Sequence, residues 1–214
     1  MDSFAHNIGG RIDNWLELTA RSLRKSFQHF WPSDAAGRND PCEQNVAIHL
    51  AHVLLREEFS VFAEVRHHGL DNGRIDLLAI EPDRNWFLAF EFKKVWSGTV
   101  SAVIEDLAKL NQYRLPELCP AMFGKMQSEF SVTCQRGVGL AAGLLWVPPD
   151  PVQSSLFEFW GSEGAAGNIK LGSELTGAAD ALNSYWATPQ RAWKNADSSR
   201  YYLVAIAFDI PASR

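Results

Sequence analysis

The sequence predicts an α/β protein in which helices pack on a mixed β-sheet. Helical and strand patterns follow one another in the order α, α, β, β, β, α, β, (β), α, β, and this order is typical of a sheet covered by helices. Hydrophobic residues make up 46% of the 214 residues and include 13 Phe and 8 Trp. That supply is sufficient for one packed core, so we expect a single domain over residues 1–214.

The first two elements are amphipathic helices. Between residues 9 and 31, apolar side chains recur at steps of three and four, and Trp31 precedes a proline, which disfavours a further helical residue. Residues 32–41 have the composition of a loop. A second helix is predicted from about residue 42 to 58, and its apolar stripe is formed by Val46, Ala47, Leu50, Val53 and Leu54.

The middle of the chain predicts three strands and a helix, and the remainder is less regular. The predicted strands are 60–66, 74–80 and 85–95, the helix is 99–113, and a buried strand is 137–147. The other expectations are a short helix within 114–136, a short strand at 157–160, a loop at 161–168, a helix at 174–195 and a last strand at 201–210.

Composition limits the compartment and the partners. No apolar stretch approaches ~20 residues and the N-terminus does not resemble a signal peptide, so a cytoplasmic protein without a membrane segment is expected. The three cysteines lack Cys-x-x-Cys spacing, which favours reduced thiols. A net charge of −5 argues mildly against nucleic-acid binding by the whole surface, yet it leaves room for a local basic cleft.

Charged residues interrupt the most apolar part of the chain, "GRIDLLAIEPDRNWFLAFEFKK" at 73–94. Asp76 lies in the first predicted strand of this hairpin, and Glu91 and Lys93 lie at the end of the second. Side chains two apart on a strand share a face, so Glu91 and Lys93 project together, about 7 Å apart along the strand. One natural hairpin register places Asp76 opposite Glu91.

Neighbouring carboxylates and a lysine form a typical site for phosphodiester hydrolysis. Two carboxylates at short distance resist joint ionisation, and a hard divalent cation such as Mg²⁺ removes that repulsion. A lysine beside them can assist a metal-bound water and stabilise charge on a phosphate. A cross-strand salt bridge at a sheet edge is the alternative interpretation.

A further acid is expected from the second helix. Glu43 precedes Val46 and Ala47 by three and four residues, so it lies at the head of the core-facing stripe and not on the outer face. A favourable acid in a first helical turn is the alternative role. Glu64 on the first strand is a second candidate for the same position.

The charged residues occur in a characteristic order: an acid on an early helix, then Asp76, then the tripeptide Glu91-Phe92-Lys93, and then a further helix. This pattern resembles the PD-(D/E)XK nuclease superfamily. The resemblance covers roughly residues 42–147 and implies a restriction-endonuclease-like core, α-β-β-β-α-β. Residues 1–38 are then an N-terminal helical extension, and 148–214 add a C-terminal helix and strand. It also implies that Asp76, Glu91 and the Phe92 backbone carbonyl are metal ligands, that Lys93 is catalytic and that Glu43 is an auxiliary acid. Either Glu43 or Glu64 is a candidate for a further metal ligand.

The function expected from these residues is a nuclease dependent on Mg²⁺ or Mn²⁺, with DNA favoured over RNA as substrate. Arg74 and Lys94 are candidates for phosphate contact. The alternatives are an inactive nuclease-fold binding protein and a defence or effector nuclease that needs a partner; a homodimer is also open. The sequence favours a solvent-exposed helix face for Arg21, Arg24 and Lys25. A nucleic-acid-binding patch is the alternative interpretation.

Overall fold

A computed structural model describes residues 3–30, 43–66, 74–81, 85–95, 100–113, 136–147, 170–194 and 200–211. The helices are α1 (Phe4–Asn7), α2 (Gly9–Phe30), α3 (Glu43–Arg56), α4 (Val100–Gln112) and α5 (Lys170–Ala181). The strands are β1 (Ser60–Arg66), β2 (Arg74–Glu81), β3 (Trp86–Val95), β4 (Arg136–Val147), β5 (Tyr185–Trp186), β6 (Gln190–Lys194) and β7 (Arg200–Ile210). No helix in these ranges is both long and apolar enough to cross a membrane.

The described strands form one mixed, mostly antiparallel sheet. Its order is β1-β2-β3-β4-β7-β5, and β6 also pairs with β7. Only β3 and β4 are parallel among these pairs. Parallel neighbours require a crossover connection, and α4 lies between these two strands in the chain. This arrangement places α4 directly beside the end of β3, where the charged residues lie.

Each face of the sheet carries its own hydrophobic core. The first core contains buried side chains of α1, α2 and α3 together with Leu77, Phe90 and Phe92. The second contains those of α4 and α5 together with Leu78 and Phe87. The alternation of side chains along β2 and β3 divides their apolar residues between the two cores, which explains why these strands read as almost continuous hydrophobic runs.

Most predicted elements are confirmed to within one or two residues, but the predicted helix at 174–195 is wrong in its second half. Helix α5 ends at Ala181, and β5 and β6 follow it. Asn183 adopts a left-handed φ of 50°, and the Ser184 N–H donates back to the Ala179 carbonyl at 3.1 Å. These features form a Schellman cap, which ends the helix. The following residues then form β5 and β6, which pair with β7. The expectations for 114–135, 157–160 and 161–168 lie outside the described residues.

Candidate functional site

The site begins where strands β2 and β3 separate. The ladder between them runs from Glu81 opposite Trp86 to Leu77 opposite Phe90. This is the predicted register, and its continuation brings Asp76 beside Glu91. Strand β3 continues to Val95, five residues beyond Phe90, the last residue that pairs with β2.

Two carboxylates bond to the backbone of β3 beyond the end of that ladder. The Phe92 N–H donates to Asp76 Oδ2 at 2.8 Å, and the Lys94 N–H donates to Glu43 Oε1 at 3.0 Å. Alternate residues of a strand direct their N–H and C=O groups to the same edge. Strand β2 pairs with this edge of β3 up to Phe90. Beyond Phe90, the two carboxylates accept the backbone N–H groups that the edge presents. The Phe92 carbonyl therefore faces the same edge as the Asp76 carboxylate. Glu43 reaches the strand as the sequence predicts.

A local distortion in β1 and β2 accompanies the position of Asp76. Ile75 packs in the second core and Leu77 in the first, although side chains two apart on a regular strand share a face. The pairing of β1 with β2 is interrupted between Leu77 and Ile75, and the β1 residue at this gap, Glu64, has a left-handed φ of 53°. The alternation of faces thus breaks at Asp76, whose carboxylate lies against β3.

The structure does not bring Glu64 into the carboxylate cluster. Its side chain is 58% exposed and pairs with Arg74 Nη1 at 3.2 Å. The Arg74 guanidinium is half exposed in this pair. Metal ligation by Glu64 therefore has no support from its position, and phosphate contact by Arg74 and Lys94 stays a prediction.

Helix α4 supplies two charged groups that the sequence reasoning missed. Lys93 Nζ lies 3.6 Å from Asp106 Oδ2, and Lys109 Nζ lies 2.6 Å from Glu91 Oε1. Lys109 also donates to the carbonyl of Arg74. Asp106 was detectable, because it follows Val103 by three residues and precedes Leu110 by four. It thus belongs to the core-facing stripe, the same signal that identified Glu43.

Burial strongly affects the acids of the site. Glu91 is 3% exposed and Asp106 is 7% exposed. Burial raises the pKa of Glu91 to about 7, and the charges of Asp76 and Asp106 add to the rise, although the hydrogen bond from Lys109 opposes it. Burial likewise raises the pKa of Asp106 to about 6 against the opposing charges of Lys93 and Lys109. Both carboxyl groups would ionise more readily with additional positive charge beside them.

Four carboxylates influence the charge of Lys93. Burial acts to lower its pKa, but the charges of Asp106, Glu43, Asp76 and Glu91 outweigh burial and raise the pKa above the ordinary value. Lys93 therefore carries a positive charge at neutral pH. Tyr113 directly follows α4. Burial raises the pKa of its hydroxyl group, and the charges of Glu91, Asp76 and Asp106 raise that pKa further.

The donor chemistry of the cluster suits a hard divalent cation. Lys93 pairs with Asp106 and Lys109 with Glu91, whereas Asp76 and Glu43 accept backbone N–H groups. Asp76 and Glu43 thus have no ion-pair partner within 4 Å among the described residues, and carboxylate oxygens are preferred ligands of Mg²⁺. As arranged, the described part of the chain holds no group of three His, Cys, Asp or Glu side chains placed to bind one ion.

Comparison with known proteins found no matching family model, no similar curated protein and no similar solved structure.

Proposed function

We propose that the protein is a metal-dependent nuclease that hydrolyses phosphodiester bonds in DNA. The observation that supports this best is the meeting of Asp76, Glu91 and Lys93 at the point where β2 and β3 separate, with Asp76 bonded to the backbone of the residue between the other two. The order α3, β1, β2, β3, α4, β4 agrees with the core expected of the PD-(D/E)XK superfamily, and it supports membership in that superfamily as part of the same proposal.

Each residue has a defined task in this proposal. Asp76, Glu91 and the Phe92 carbonyl would hold Mg²⁺ or Mn²⁺, and Glu43 would add negative charge from the first turn of α3. The bound cation would activate water and offset charge on the phosphate. Lys93 keeps its proton because four carboxylates raise its pKa, so it acts as a fixed positive charge and hydrogen-bond donor toward a phosphate oxygen. Asp106 holds the Lys93 ammonium group in position.

The ion pair between Lys109 and Glu91 favours a second candidate, a nuclease-like binding protein without catalysis. At 2.6 Å, the Lys109 ammonium group already neutralises the carboxylate that would hold the metal. In the nuclease, a cation must compete with this ammonium group for Glu91. In the binding protein, the pair is permanent and no divalent cation displaces Lys109. The two candidates therefore differ in whether divalent cations bind at Glu91.

The proposal is tested by cleavage of supercoiled plasmid with Mg²⁺ or Mn²⁺ at low salt, together with calorimetric titration of each metal. Wild-type protein is compared with Asp76→Asn and Lys93→Met, and Glu105→Gln serves as the matched control because Glu105 is an exposed acid on α4. We expect cleavage by the wild type and the control, and none by the two site variants. A single-stranded RNA substrate in parallel reports the preference for DNA.

Different failures of this experiment separate the alternatives. Metal binding that Asp76→Asn abolishes, without cleavage of any substrate, would indicate a nuclease that depends on a partner. Folded wild-type protein that binds neither metal and cleaves nothing would refute the nuclease and leave the binding protein. Cleavage that persists in Lys93→Met and Asp76→Asn would place the activity elsewhere.

A further inference from the structure

A second polar site lies between helices α2 and α3. The two helices run antiparallel: Arg11 Nη2 lies 3.3 Å from Glu57 Oε2, and the Ser22 hydroxyl is hydrogen-bonded to His49 Nδ1 at 2.7 Å. A half-open cavity of about 700 Å³ lies along their junction. Its lining includes Arg21, Arg24, Lys25, His52, Arg56 and Glu57.

This α2–α3 cavity concentrates positive charge in a protein whose net charge is −5. Its one acidic lining residue, Glu57, already pairs with Arg11. Of the four Lys and Arg residues in the lining, Arg21 pairs with Glu17, and the other three have no ion-pair partner among the described residues. Within the described part of the chain, Arg24, Lys25 and Arg56 therefore direct uncompensated charge to one concave surface.

The guanidinium of Arg24 provides an independent sign of a missing partner. Its Nε atom is buried, and no described residue accepts a hydrogen bond from it. A buried donor without an acceptor is unfavourable, so native proteins rarely leave one unsatisfied. An anion in the cavity would neutralise the charge of the Arg24 guanidinium and of the basic residues around it.

The shape and lining of the cavity define the class of anion. Its volume lies within the ~300–1,000 Å³ typical of small-ligand sites. Among the described residues, the lining contains no Phe, Tyr or Trp ring on which a base could stack, while arginine forks suit phosphate oxygens. We propose that the α2–α3 cavity binds a small ligand with two or more phosphate groups, recognised by charge and not by a base.

The cavity is separate from the carboxylate cluster. His52 and Arg56 lie 9 and 13 residues beyond Glu43 on α3, which corresponds to about 14 and 20 Å along the helix axis. Helices α2 and α3 also pack in the first core, whereas α4, which carries Asp106 and Lys109, packs in the second. The proposed ligand site therefore does not depend on the nuclease proposal and would remain if the latter failed.

The test is calorimetric titration of the whole chain with sodium tripolyphosphate, in EDTA-containing buffer so that metal binding at the carboxylates does not contribute. Arg24→Gln and Arg56→Gln are each expected to weaken binding about tenfold or more, since each removes a charge-assisted contact. Lys25→Gln is a further variant at an exposed side chain, which leaves the core unchanged. Arg191→Gln, an exposed arginine on β6, is the control and is expected to bind as the wild type does.

ATP, AMP and a single-stranded oligonucleotide distinguish the sources of phosphate. Similar affinities for tripolyphosphate and ATP, with weaker binding of AMP, would support the proposal. Binding of the oligonucleotide alone would overturn it in favour of a nucleic-acid surface. The proposal would also be wrong if the wild type bound no tripolyphosphate at about 1 mM, or if folded Arg24→Gln, Arg56→Gln and Lys25→Gln all bound it with wild-type affinity.

Discussion

Replacing the buried carboxylate of Glu91 with a neutral amide is expected to stabilise the protein at alkaline pH. Glu91→Gln keeps the shape of the side chain and an oxygen that accepts the hydrogen bond from Lys109. The amide therefore imitates protonated Glu91. Any difference in stability from the wild type then reports the cost of ionising this carboxyl group in the folded state.

The size of the effect follows from the pKa. In the folded protein the pKa of Glu91 rises from 4.5 to about 7, so between these values the folded state binds a proton that the unfolded state has released. Stability therefore falls as the pH rises through this window. At about 1.4 kcal/mol per pKa unit, ionised Glu91 lowers the free energy of unfolding by about 3 kcal/mol above pH 7. Below about pH 4 the variant and the wild type should be equally stable.

Urea unfolding followed by circular dichroism from about pH 4 to pH 8 measures this difference. Glu105→Gln, an exposed change on α4, is the control and should follow the wild type throughout. At the alkaline end, Mg²⁺ should stabilise the wild type and not Glu91→Gln if the cation binds at Glu91. A Glu91→Gln protein that is less stable than the wild type at pH 8 would refute the reasoning, because the buried charge would then be stabilising.

Three further predictions concern the residues that shape the molecule around the site. Gly143→Ala should lower the free energy of unfolding by about 2 kcal/mol or more, because a Cβ there would lie 2.0 Å from the Lys93 carbonyl oxygen; thermal melts and metal titration would detect this. Asp209→Ala should cost about 2 kcal/mol in urea unfolding, since the Asp209 carboxylate accepts the N–H groups of Phe4 and Ala5 at the start of α1. At Glu64, whose φ is 53°, Asn should be about 1 kcal/mol more stable than Val, and equal stabilities would contradict the left-handed conformation.

The fold was largely predictable because its signals are local. Nearly continuous apolar runs on either side of a turn mark β2 and β3, and steps of three and four mark the buried faces of α2, α3 and α4. The end of α5 was not predictable in the same way. Its apolar spacing continues past Ala181, and only the cap at Asn183 and the available edge of β7 turn the chain into strands.

Half of the candidate site was visible in the sequence for a similar reason. Asp76, Glu91 and Lys93 lie on one hairpin, where the side-chain period and the turn position limit the possible registers. Glu43 and Asp106 lie on core-facing helix stripes, and that position alone does not reveal which strand they meet. The partners were decided by packing, which sets Glu43 against the Lys94 N–H and Asp106 against the Lys93 ammonium group.

By itself, the sequence determined the order of the elements, their buried faces and a charged hairpin suited to a metal and a phosphate. The tertiary structure alone decided that Lys109 pairs with Glu91, that Glu64 turns outward to Arg74 and that four basic residues line one cavity between α2 and α3. The physical reason is distance along the chain. Alternation and helical periodicity describe neighbours within a few residues, whereas ion pairs and cavities depend on which surfaces the folded chain brings together.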